Sequence, residues 1–227
     1  MTTHKSLRRR LLLGLIILSG CLTLMDTPAY PEAYIAGQFG FTIPNSLSNN
    51  NITSAGVTGA SFSDLDLKNS FLFGAKLGYY SRSVRWFGVE TEVFSTTPHI
   101  KQQNVTVTGP FGSAVTDFPG EYFRVTTWAI NLVARYPGKR LQPYAGIGPG
   151  VFFARIKDSQ TGESQSNTRV GLNTQLGLRY FLARHVALFG EWKYNYARFG
   201  FKEKTNLDGF DSTYSANSFV FGISYHF

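Results

Sequence analysis

The 227-residue chain contains one cysteine, two methionines and few charges, with Asp, Glu, Lys and Arg together making up 16% against about 25% in an average soluble domain. One cysteine excludes a disulfide scaffold and a cysteine-built zinc site. Scarce charge argues against a disordered tail or a highly charged helical bundle. Outside the first thirty residues no apolar run approaches the ~20 residues that a membrane-spanning helix needs, which excludes a helical membrane protein. Four scattered histidines, His4, His99, His185 and His226, have no metal-ligand spacing, so neither metal nor cofactor is expected. What the chain does have is 15% aromatic residues, 43% hydrophobic residues and 23 glycines. Its mean hydropathy is −0.11, and its length suits one domain or two small ones.

Much of the positive charge sits at the start. Lys5, Arg8, Arg9 and Arg10 precede an apolar run over 11–25 that ends in Asp26-Thr27-Pro28-Ala29, the three-part pattern of a secretory signal peptide. Thr27 and Ala29 supply the small residues required before a cut, so cleavage is expected after Ala29, giving a leader of 1–29 and a mature domain of 30–227. Leu18-Ser19-Gly20-Cys21 also fits a lipobox, in which Cys21 would become a lipidated N-terminus. Removal of 1–29 lowers the formal charge from +8 to +5, since four cations and one anion leave. No basic helix or aromatic strip accompanies that charge, so a nucleic-acid partner is not expected.

The mature chain alternates at every second residue. In 34–43 the odd positions are Ile35, Gly37, Phe39, Phe41 and Ile43, and period two marks a strand with one apolar face. The same alternation recurs over 70–80, 86–94, 124–136, 144–155, 170–182, 185–198 and 214–227, which makes eight strands. Their connections alternate too: 81–85, 137–141 and 183–184 are tight, whereas 44–68, 98–122, 157–169 and 199–212 are long and polar. Such a pattern predicts an all-β fold, an eight-stranded antiparallel up-and-down transmembrane β-barrel with short periplasmic turns and four long extracellular loops. Closure is required because lipid satisfies no open strand edge.

One face of these strands is bulky and aromatic; the other is small, polar and charged. An eight-stranded interior is just wide enough to be filled by side chains, so the small face belongs inside and the aromatic face against lipid. Lys76, Glu90, Glu92, Arg135, Arg179, Glu191 and Lys193 lie on the inner face. They are expected to form an ion-pair network that plugs the lumen, because a buried charge without a partner costs several kcal/mol.

Ala36-Gly37-Gln38-Phe39-Gly40, Gly74-Ala75-Lys76-Leu77-Gly78-Tyr79-Tyr80, Trp86-Phe87-Gly88-Val89-Glu90-Thr91-Glu92, Pro143-Tyr144-Ala145-Gly146-Ile147-Gly148, Gly177-Leu178-Arg179-Tyr180-Phe181 and Phe189-Gly190-Glu191-Trp192-Lys193-Tyr194 together resemble the outer-membrane-protein β-barrel domain family. That family includes opacity-type proteins and the membrane domains of OmpA and OmpX, and the resemblance covers roughly 30–227. It implies residence in the bacterial outer membrane, among its lipids. The terminal alternation of Phe219, Phe221, Ile223, Tyr225 and Phe227 resembles the signal read by the barrel-assembly machinery. In departure from OmpA, the sequence ends at the eighth strand, so attachment to the cell wall is not implied.

Three functions are compatible with this reading. The first is a structural or surface-interaction protein, adhesin-like or opacity-like, meeting an extracellular ligand through loops 44–68 and 98–122. Phe62, Ile100, Val105, Val107, Phe111 and Phe118 in those loops are then contact points, or else they extend the strands and pack on one another. The second is porin-like transport of small solutes through a gated lumen. The third is a lipid A-modifying enzyme, for which Ser95 and His99 are the nearest approach to a nucleophile and base; no known hydrolase motif surrounds them, and no catalytic residue is assigned. Asp64, Asp66, Asp208 and Asp211 are loop carboxylates suited to weak calcium binding or simply to solvation. Arg82, Arg85, Lys139, Arg140 and Arg184 gather at the short turns, where they meet anionic headgroups or water.

Overall fold

The computed structural model describes residues 32–52, 60–81, 83–110, 112–157, 162–202 and 209–227. The expected leader with Cys21 and Ala29, and also Arg82, Phe111 and Asp208, lie outside the described residues. Alternating residues build β1 (Glu32–Pro44), β4 (Ser70–Tyr80), β5 (Phe87–Thr96), β8 (Tyr122–Arg135), β9 (Leu141–Lys157), β10 (Ser164–Phe181), β11 (Val186–Phe201) and β12 (Phe210–His226), with β2 (Ser48–Ile52), β3 (Ser61–Phe62), β6 (Gln103–Gly109) and β7 (Gly112–Phe118) between them. The eight long strands pair in sequence, each antiparallel to the next. β1 closes the ring against β12, with Phe39 opposite Phe221 and Phe41 opposite Phe219.

Closure sends alternate side chains to opposite sides of the wall. Phe39, Phe71, Phe73, Leu176, Phe221 and Ile223 point outward, Phe71 with 73% of its surface exposed. An apolar girdle of this extent is stable against hydrocarbon and not against water. Two of its outward indoles are hydrogen-bonded: Trp128 Nε1 donates to Thr91 Oγ1 at 2.9 Å and Trp192 Nε1 to Asn217 Oδ1 at 3.2 Å. Short connections define the lower end. Gly138 is needed in one of them, since a Cβ there would lie 2.3 Å from the Leu141 carbonyl oxygen.

The upper end is more ordered than an arrangement of four loops. Segments 44–68 and 98–122 supply β2, β3, β6 and β7, which continue the sheet from the upper part of β12 in the order β12, β2, β3, β6, β7. Bridges from Leu47 to Leu65, Leu67 to Ile100 and Ile100 to Glu121 carry the wall upward above β4, β5 and β8. Leu47, Leu65, Leu67, Ile100 and Val105 from these segments pack on inward side chains of the barrel, among them Phe123, Phe152, Phe199, Phe201 and Tyr214. The inner face is therefore small and polar only in part; its upper end is an aromatic core. β10, β11 and β12 also reach higher than their alternation suggests. The β10–β11 ladder stops at Leu172 and Tyr196, and above it Gln165 Nε2 donates to the Lys202 carbonyl at 3.0 Å and Asn167 to that of Gly200.

Candidate functional site

Below the aromatic cap the lumen is filled by charge. β4 and β5 contribute Lys76, Glu90 and Glu92; β11, on the far side of the ring, contributes Glu191 and Lys193. Lys76 Nζ lies 2.6 Å from Glu191 Oε1, 3.1 Å from Glu90 Oε1 and 3.6 Å from Glu92 Oε2. Lys193 Nζ lies 2.6 Å from Glu92 Oε2 and 3.2 Å from Glu191 Oε2. Each lysine bridges carboxylates from both walls, and all five side chains are buried. Such charges are tolerated in a low-dielectric interior only when every one has partners and the remaining lone pairs are filled.

Neutral groups complete that shell. Gln175 accepts from Lys76 and Lys193 at 3.2 and 2.9 Å and donates to Glu90 at 2.8 Å. Glu92 accepts from Gln38, Asn131 and Asn173 at 3.1, 3.1 and 2.9 Å. Asn195 donates to Asn173 at 2.6 Å. The Tyr144 hydroxyl donates to Glu191 at 2.5 Å and the Tyr34 hydroxyl to Glu90. Glycines on neighbouring strands make room for these rings, since a Cβ on Gly78 would strike Tyr34 and one on Gly177 would strike Tyr144.

The other two expected network members stand apart. Arg135 pairs with Glu32 at 2.5 Å and lies over the Tyr80 ring at 3.6 Å, near the lower opening, where His226 meets the same carboxylate. Arg179 lies over Tyr34, Tyr144 and Tyr80 at 4.3, 5.2 and 5.9 Å, and among the described residues no carboxylate pairs with it. Its positive charge is held by aromatic faces, an arrangement that suits guanidinium. Alternation marks the face of Asn131, Asn173, Gln175 and Asn195 but not their bonds. Glu32 precedes the alternating stretch and carries no sequence signal of its own.

The remaining candidates separate. Ser95 Oγ lies 3.1 Å from Thr126 Oγ1, and the His99 ring packs edge-on against Tyr122, so among the described residues the two form no hydrogen-bonded dyad. Asp66 takes the Ser46 hydroxyl at 2.8 Å and lies 3.7 Å from Lys101. Phe62, Val107 and Phe118 pack against the upper core and Ile100 and Val105 lie within it, as the packing alternative expected. Phe219, Phe221, Ile223, Tyr225 and Phe227 all face outward on or just beyond β12.

No curated protein matches the chain by sequence. Among solved structures, the outer membrane protein OprG from Pseudomonas aeruginosa is 17% identical with a TM-score of 0.59, over 89% of this chain and 99% of that one. Neisserial surface protein A is 13% identical with a TM-score of 0.57, over 86% and 97%. Both share the fold of this chain over nearly their whole length. The family described as outer membrane protein beta-barrel domain matches residues 17–227, and the chain belongs to that family, as a protein of the bacterial outer membrane.

Proposed function

We propose that the protein is a closed barrel acting at the cell surface, a structural or adhesin-like scaffold whose business is done by its extracellular sheet and not by its lumen. The carrying observation is the β6–β7 hairpin. Among the described residues β7 is bonded on one side only, to β6, and all its side chains but Phe118 are exposed, Val115 to 69%. An exposed edge strand offers backbone donors and acceptors that an extended partner segment can pair with. The rest of the upper sheet is anchored on the aromatic cap, so the hairpin is presented on a rigid base. Outward alternation of Phe219, Phe221, Ile223, Tyr225 and Phe227 fits a role of β12 in recognition by the barrel-assembly machinery.

Cells displaying the protein with 103–118 replaced by a short Gly-Ser turn test this reading. Adhesion to host matrix or to a glycan array is expected to fall to background while the barrel still inserts. Undiminished adhesion would show that the hairpin is not the contact surface.

A further inference from the structure

We infer that the outer wall carries a site for the phosphate of an outer-leaflet glycolipid, lipid A, built on Arg124 of β8 and Arg155 of β9. Both point outward: their neighbours Phe123, Val125, Ala154 and Ile156 are buried inside the wall, whereas the two arginines are exposed. They stand directly opposite each other in the antiparallel register. Like charges so placed repel and destabilise the pairing. Among the described residues neither guanidinium takes part in any ion pair; Arg155 donates to Ser164 Oγ at 3.3 Å. An anion between them would turn the repulsion into two charge-assisted contacts.

Depth identifies where that anion comes from. From Leu141 to Phe153 every outward residue of β9 is apolar. Twelve residue steps at ~3.3 Å, tilted by roughly 40°, span about 30 Å, which matches the hydrocarbon core. Arg155 is the next outward residue, at the level of the lipid headgroups, and Arg124 is level with it by register. The cationic surface extends sideways. Lys157 faces outward opposite Tyr122, and Tyr122 packs on His99. Partial burial, then Lys68 and Arg124, hold the His99 imidazole below its ordinary value, which places both cations within electrostatic reach of that ring. An aromatic residue beside basic ones at headgroup depth is the usual composition of a membrane interface.

The test uses the full barrel refolded in a zwitterionic detergent and titrated with bisphosphorylated lipid A, with the same lipid stripped of phosphate, and with sodium phosphate, bound lipid being counted by native mass spectrometry. Wild type is expected to prefer the phosphorylated lipid. R124Q/R155Q is expected to bind it about tenfold more weakly, the factor that ~1.4 kcal/mol of lost contact gives. K139Q/R140Q, which removes the same charge at the opposite end, is expected to bind as wild type does. Heat-modifiable migration verifies that each variant is folded; should the double variant fail to fold, R155Q alone is expected to lose about threefold. Equal binding by wild type and R124Q/R155Q, no preference for phosphate, or displacement of the lipid by an equal concentration of free phosphate would each overturn the inference.

Discussion

Lys193 Nζ of β11 lies 2.6 Å from Glu92 Oε2 of β5, and neither side chain is accessible to solvent. β5 and β11 stand four strands apart in a ring of eight, so this contact crosses the lumen at its full width. Together with Lys76 to Glu191 it ties opposite walls through the space that a conduit would need.

Removing one end of that contact leaves a buried charge without its closest partner. Lys193→Met is expected to lower stability by about 3–5 kcal/mol, and Lys193→Met/Glu92→Met to lose less than the sum of the two single changes, because the pair vanishes together. Urea unfolding followed by heat-modifiable migration measures both. Strict additivity would show that the two side chains do not act as a unit.

Glycines in the wall divide by what surrounds them. A Cβ on Gly148 would fall 1.9 Å from the Ile130 carbonyl oxygen, whereas one on Gly37, on the lipid face, meets nothing within 4 Å. Gly148→Ala is expected to cost about 1–3 kcal/mol through overpacking and Gly37→Ala to be close to neutral. The same unfolding assay checks the pair, and equal effects would contradict the packing described.

The aromatic cap packs against the segments that carry the extracellular sheet. Phe199 contacts Phe123, Phe201 and Tyr214 at ring-centroid distances of 6.5, 5.9 and 6.1 Å. Phe199→Ala is expected to remove about 3–5 kcal/mol from this region and to expose 98–122 to external protease while the ladder below remains protected. Cleavage at the wild-type rate would show that the cap does not hold the sheet.

His99 reports the electrostatics of the upper rim. Burial and then Lys68 and Arg124 lower its pKa from 6.5, so the folded protein takes up this proton at lower pH than the unfolded chain does. Stability at this site is therefore intact above about pH 6.5 and decreases as pH falls below it. In an NMR titration the imidazole is expected to titrate below 6.5 and to move upward in Arg124→Gln. No movement in that variant would detach Arg124 from His99.

The sequence announces the barrel through residues that alternate without interruption. Strand β4 has the same bounds in sequence and structure, Ser70–Tyr80, because five outward apolar residues leave its face unambiguous. β6 and β7 are seven residues each, amid Thr, Ser and Gly, and β7 is exposed along nearly its whole length rather than alternating; the sheet they join is reached through β3 and β2, which are distant in sequence. Alternation also assigned Lys76, Glu92 and Arg179 to the same inner face. It carries no information on which side chains meet across the lumen, since that depends on strand stagger; hence Arg179 faces three tyrosines and Arg135 pairs with Glu32.

The Lys76, Glu90, Glu92, Glu191 and Lys193 network fills the lumen between opposite walls. Single-channel recording of the purified barrel in a planar bilayer tests it most directly. Wild type is expected to pass no current above the bare bilayer, and conductance to appear only in variants such as Lys76→Ala/Lys193→Ala that empty the centre. A steady, reproducible wild-type current would contradict it.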